Sequence, residues 1–253
     1  MNCFRSVAKG FMAAFALSSP LLTFSVPSPL MAATKAVAVV RYPAVTSFSA
    51  TPEGFVPAGW FIEKKIQGDM NGDEVTDLAL LLRKDDSAKR FLNKSNPSGA
   101  IVDTNPRMLV VILARPDGAG YTLLGENHTL FPAVTRTTQK DPLASISVEY
   151  NHVLKVEFQT SRNEDQATTT DFSFFLRPEG FALVGYSRVD SEFNFINTEE
   201  SSLRIFYLSG ERQVVKRSTG DQSKPETTYL PKRPLLSFGR VGNALTFNPD
   251  APY

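Results

Sequence analysis

The chain has 253 residues, 42% hydrophobic, 21% charged and 11% aromatic, enough for a real core in one large domain or two small ones and far from a disordered or collagen-like composition. Its 27 basic residues nearly cancel its 26 acidic ones, so no long-range field draws it onto a polyanion, and no nucleic-acid partner is expected. Cys3 is the only cysteine, which excludes a disulfide framework and a thiolate metal site.

Met1 to Gly10 carries Arg5 and Lys9 without an acid, Phe11 to Met31 carries no charge, and small residues follow at Ala32 and Ala33. That layout predicts a secretory signal peptide over residues 1–33 and a periplasmic or secreted protein. A membrane anchor is the rival reading, since the uncharged stretch approaches the ~20 residues that cross a bilayer. Pro20, Pro27, Pro29 and the nearby hydroxyl residues interrupt such a helix, so no stable membrane span is expected after processing. Cleavage after Ala33, Ala36 or Ala38 is left open. Cys3 precedes the apolar run and is not placed to become a lipidated N-terminus. The processed chain would have no cysteine, and packing or metal must then stabilise it.

Residues 34–58, with Pro43, Pro52, Pro57 and Gly54, read as an extended lead-in, and residues 59–253 as a single β-rich domain. Trp60 to Ile66 alternates as a half-buried strand, whereas Leu78 to Leu82 is unbroken apolar sequence suited to a strand covered on both faces. Asp85 to Pro106 is polar and predicts a long surface loop. Arg107 to Ala114 is the most buried-looking strand, turned at Pro116-Asp117-Gly118 into Tyr121 to Leu124. After a variable stretch from Phe131 to Pro142, Ser145 to Tyr150 and Leu154 to Phe158 form a hairpin at Asn151-His152. Phe172 to Leu176 pairs with Phe181 to Tyr186, and Leu203 to Leu208 with Gln213 to Lys216. Strands at short intervals, tight turns and no helical spacing predict a mainly β fold of antiparallel hairpins in a meander. A terminal aromatic, Tyr253, is also found on outer-membrane barrels, but Pro249 and Pro252 break the last five residues and the strands lack lipid-facing alternation.

One segment carries chemistry. Gly68-Asp69-Met70-Asn71-Gly72-Asp73-Glu74-Val75-Thr76-Asp77 sets oxygen-bearing side chains at relative positions 1, 3, 5 and 9, with the Val75 carbonyl at position 7. A hard cation such as Ca²⁺ takes six to eight oxygens at ~2.3–2.6 Å, and a tightly wound loop turns alternate side chains around one point. The bland alternative is a solvated acidic turn between two strands.

Residues 68–82 resemble the Gly-Asp-x-Asn-Gly-Asp-Gly-x-x-Asp-Leu loop of FG-GAP and VCBS repeats of secreted proteins. The wider run through Arg107 to Leu113 and Leu208 to Arg212 is similar to secreted bacterial proteins of unestablished function that carry one such loop. The resemblance implies Ca²⁺ ligated by Asp69, Asn71, Asp73, the Val75 carbonyl and Asp77, in a loop spanning residues 68–78. The motif occurs once, so a closed propeller is not implied. The sequence departs from the family at Glu74, where Gly is usual and the bend calls for a positive φ. It departs from an EF-hand too, since position 12 is Leu80, which cannot ligate. Waters, Asp85, Asp86 or a distant acid would complete the shell.

Catalysis finds little support in these residues. His128 and His152 are the only candidate imidazole bases, one at a strand end and one in a turn, and no Gly-x-Ser-x-Gly or His-Glu-x-x-His motif occurs. Glu126, Glu149 and Glu157 are the acids that a paired-carboxylate mechanism could use. The sequence thus predicts a non-catalytic exported module, stabilised by Ca²⁺ at one loop, that binds an envelope or extracellular protein or glycan. The alternative is a carboxylate-dependent hydrolase of envelope glycan.

Overall fold

The computed structural model describes residues 41–93, 99–134, 140–194, 196–221 and 223–251. The expected signal peptide and its cleavage positions, Cys3 and Tyr253 lie outside them. Among the described residues there are fourteen strands, all paired antiparallel, in open sheets with no closed barrel or propeller. No helix among them is long and apolar enough to cross a membrane.

The first sheet contains β1 (Phe48–Ser49), β2 (Trp60–Gly68), β3 (Asp77–Lys84), β6 (Arg107–Ala114) and β7 (Tyr121–Asn127) in the order β1-β7-β6-β3-β2. Its central strands β3 and β6 explain why their sequences are apolar without a break. Successive side chains point to opposite faces of a strand, and here both faces are covered. Ala79, Leu81, Leu109 and Val111 enter one core, while Leu78, Leu80, Leu82, Met108, Val110 and Ile112 enter another. The second core is closed by Tyr42, Val45, Phe55 and Val56. The stretch expected to be a loose lead-in is therefore a cover. Its Pro52–Phe55 turn is 3₁₀-helical and Phe55 is only 1% exposed. The second face of β3 and β6 has no other layer over it, and leaving six large apolar side chains wet would cost on the order of 1.5–3 kcal/mol each.

The second sheet follows in chain order: β8 (Leu143–Val148), β9 (Leu154–Ser161), β10 (Gln166–Arg177), β11 (Gly180–Phe193), β12 (Thr198–Phe206), β13 (Glu211–Ser218) and β14 (Glu226–Tyr229). Leu154, Val156, Phe158, Phe172, Phe174, Leu183 and Ile205 alternate onto its inner face and meet the first sheet's Leu81 and Leu109. The C-terminal segment completes this core with Leu236, Phe238 and Val241, and Phe238 meets Phe174 edge-on at 5.0 Å. Asn127 fastens that segment, its Nδ2 donating to the carbonyls of Phe238 and Val241 while its Oδ1 accepts from Leu130 N.

The polar stretch read as one long loop contains a short hairpin, β4 (Arg90–Leu92) with β5 (Ile101–Asp103). Two features place the chemistry. A bulge at Glu63 in β2 swings its carboxylate under the sheet, where it accepts from the buried Arg83 and Arg107. At the other end of β2, Gly68 lies so close to β8 that a Cβ there would come within 2.4 Å of Val148 Cβ. Only glycine permits that approach, and it sets the β8–β9 turn over the loop that follows.

Candidate functional site

The loop between β2 and β3 is held by its own carboxylates. Asp69 Oδ1 accepts from the amides of Asn71 (3.2 Å) and Gly72 (2.6 Å), and Oδ2 from Glu74 (3.1 Å). Asn71 Oδ1 accepts from Asp73 N, Asp73 Oδ1 from Val75 N, and Asn71 Nδ2 donates to Asp73 Oδ2 at 2.9 Å. These short-range bonds are what Asp and Asn offer a backbone that is neither helix nor strand. They draw Glu74 into the left-handed region at φ +65°, a conformation that glycine adopts freely.

Asp77 closes the loop from inside. It is fully buried, its Oδ2 accepting from Met70 N and its Oδ1 from Ala114 N, each at 2.8 Å, so it ties the loop to the end of β6. Burial pushes its carboxyl above the ordinary range. The two amides oppose that shift, and the charges of Asp73 and Asp69 add to it. Asp69 goes the other way: its partial desolvation is outweighed by the amides of Gly72, Glu74 and Asn71, leaving it below its usual value.

The turn over the loop brings His152 against Asp69. His152 has φ +62°, and its Nδ1 donates to the Asp69 carbonyl at 2.9 Å and stands 3.5 Å from Asp69 Oδ2. Because the carbonyl can only accept, this contact selects the tautomer protonated on Nδ1. The ring packs over Gly72, where a Cβ would lie in ordinary contact at 3.7 Å from Nε2. The sequence holds no sign of this contact, since 83 positions separate the partners.

The donor set fits a hard cation in composition. Asp69, Asn71, Asp73 and Asp77 share one loop, and the three carboxylates raise one another's energy at close range. Apart from Asp69 Oδ1, each acceptor oxygen uses one lone pair on an amide and keeps another. Among the described residues no three His, Cys, Asp or Glu side chains form a metal-holding group. Asp77 faces Met70 and Ala114, and Asn71 turns its nitrogen toward Asp73. Ligation by all four would require Asn71 to present Oδ1 and Asp77 to share an oxygen. Asp85 and Asp86 are at the far end of β3, roughly 26 Å away at 3.3 Å per residue. There Asp85 pairs with Arg90 and Asp86 caps the 3₁₀ turn at Ala88, so neither completes a shell around the loop.

The remaining sequence candidates are dispersed. His128 stacks on Tyr42 at 4.5 Å with an interplanar angle of 8°, its Nε2 lying 3.5 Å from Glu126 Oε2. Glu157 sits beside Lys155 on the outer face of the second sheet, and Glu149 opens the β8–β9 turn. The structure therefore leaves Glu126, Glu149 and Glu157 on three separate elements.

Two polar features escaped the sequence reading. One is a buried ion network in which Glu63 accepts from both Arg83 and Arg107, and Arg107 also donates to Asp141. Burial pushes the Glu63 carboxyl up, but the hydrogen bonds and charge of Arg107 and Arg83 outweigh it and leave the group below its ordinary value. The other is an open trough of about 700 Å³ on the inner face of β10–β13, beyond the core. Its signal in the sequence is the alternation of Thr, Ser and charged residues in β10 and β11, which reads as turn when no apolar residue marks the buried face.

No family model, curated protein or solved structure matches this chain. The fold defines a mainly β domain of three antiparallel sheets, two large and one a short hairpin, and the site defines an Asx-rich loop braced by a histidine.

Proposed function

We propose that the protein is a non-catalytic exported module, in the periplasm or outside the cell, that binds an envelope or extracellular protein or glycan and is stabilised by Ca²⁺ at the loop of residues 68–78. The observation that carries the reading is Glu74 at φ +65°, gripped by Asp69 Oδ2. A glutamate forced into the left-handed region costs roughly 1–2 kcal/mol, and this backbone keeps the winding that a one-point oxygen cage requires. Asp69, Asn71, Asp73, the Val75 carbonyl and Asp77 would hold the ion, which would neutralise carboxylates that now repel one another.

Calorimetric titration of Ca²⁺ into the protein tests the proposal, alongside thermal melts in Ca²⁺ and in EDTA. Binding in the ~10⁻⁴–10⁻³ M range of extracellular modules is expected, with a higher melting temperature in Ca²⁺ and neither effect in Asp73→Ala. Identical traces and melts for the two proteins would remove calcium from the function.

A further inference from the structure

The trough on the second sheet is built by strands that outrun their core. Phe172 and Tyr186 face each other at the last aromatic layer of the inner face. Past it, on the same face, the pairs become Thr170 with Arg188, Thr168 with Asp190 and Gln166 with Glu192. The register carries these rows across the sheet. One runs Thr168, Asp190, Ser201, Lys216; the next runs Gln166, Glu192, Glu199, Ser218. Each row crosses three inter-strand gaps, about 14 Å at ~4.8 Å apiece. A continuous, hydrogen-bonded floor of polar side chains thus extends beyond the part of the sheet that packing stabilises.

Charge is distributed unevenly on that floor. Asp190 is saturated, accepting two bonds from Arg188 at 2.9 Å each and one from Thr168 Oγ1 at 2.7 Å. The Arg188 guanidinium holds its carboxyl below the usual range. Glu192 and Glu199 are directly opposed on neighbouring strands and make no ion pair among the described residues. Like charges at facing positions destabilise a sheet, so this pair is a standing cost to the free protein. Lys216 on one flank and Arg162 on the other line the same trough, likewise without an ion pair among the described residues. Glu200 and Arg217 also line the trough and face each other in register, and Asp221 lies beyond β13; the remaining charges are acidic on β11 and β12, with Lys216 and Arg162 on either side. Among the described residues, no aromatic side chain lines the trough.

We infer that this trough binds an extended peptide segment carrying a basic residue between acidic ones. The peptide's ammonium or guanidinium sits between Glu192 and Glu199, and its flanking carboxylates meet Lys216 and Arg162. Four extended residues span about 13 Å, close to the width of the floor. The inference deepens the reading of the protein as a binding module by naming its ligand chemistry, and it does not depend on calcium.

The test is titration of the ¹⁵N-labelled protein with acetylated, amidated Glu-Lys-Glu, followed through backbone amide shifts, in Ca²⁺ and in EDTA. Shifts should gather at Glu192, Glu199, Ser201 and Lys216. Affinity should fall about tenfold or more, as for loss of a charge-assisted contact, with Glu-Gln-Glu as ligand or with the Glu192→Gln/Glu199→Gln variant. The variant should melt no lower than the parent, because its substitutions remove a repulsion from an exposed surface. The inference is overturned by equal affinity of parent and variant, by absence of shifts in the trough at millimolar peptide, or by a glucosamine oligomer binding there when the peptide does not. Peptide binding that fails while Ca²⁺ still titrates sinks this inference alone. Peptide binding in EDTA as in Ca²⁺, with no calorimetric heat from Ca²⁺, sinks only the calcium reading.

Discussion

The two sheets share one core but answer to different constraints. In the first, β3 and β6 are covered on both faces, by the second sheet and by residues 42–56. In the second, the inner face of β10 and β11 is apolar only as far as Phe172 and Tyr186, and the outer face is polar throughout β9, where Lys155, Glu157 and Gln159 alternate with core residues. A strand buried on both sides cannot vary without disturbing packing, whereas one with a wet face can carry charge wherever the ligand or solvent requires it. The two proposed sites sit at the ends and overhangs of the sheets, away from the doubly covered strands.

The largest effect is expected at the ion network under the first sheet. Glu63→Ala leaves the Arg83 and Arg107 guanidiniums buried, at 6% and 8% exposure, with one carboxylate partner fewer. A loss of about 3–5 kcal/mol is expected in chemical denaturation. The same network sets an acid limb. Because Glu63 is held below its ordinary value, its contribution is complete above about pH 4.3 and is lost as the pH falls through the lowered folded value. Melts from pH 7 to pH 3 should show a steeper acid decline in the parent than in Glu63→Gln; parallel curves would contradict it.

Next in size is Leu81→Ala in the doubly covered sheet, which should cost about 2–5 kcal/mol by denaturant titration. At the loop joining β2 to β3, Glu74→Gly should stabilise by about 1 kcal/mol, by relieving the left-handed backbone, and should tighten Ca²⁺ binding in the calorimeter. A destabilised Glu74→Gly would mean that the side chain makes contacts which outweigh its strain. Smallest is Gln159→Ala on the exposed outer face of β9, expected within about 0.5 kcal/mol of the parent. A large loss there would show that the outer face is covered after all.

Much of the strand layout was legible because side-chain period reports burial. Arg107 to Ala114 and the run within Asp77–Lys84 needed no tertiary information, since an unbroken apolar strand has only one way to bury itself. The lead-in was not legible: prolines and glycines in residues 43–59 mark irregular backbone, and nothing local says that Phe55 and Tyr42 close a core. The long arms of β10 and β11 were missed for the opposite reason, because a strand beyond the core loses the apolar alternation by which strands are recognised. In the loop, the spacing of Asp69, Asn71, Asp73 and Asp77 was plain, and so was the bend required at Glu74.

By itself the sequence determined the β class, the central buried strands and the spacing of Asp and Asn in the loop between β2 and β3, because these follow from neighbours within about ten residues. Only the tertiary structure decided that Asp77 spends its oxygens on Met70 and Ala114, that His152 braces Asp69, and that Glu192 faces Glu199. Those facts depend on strand register and on the approach of β2 to β8, and register is fixed by how the whole core fills space rather than by any one segment.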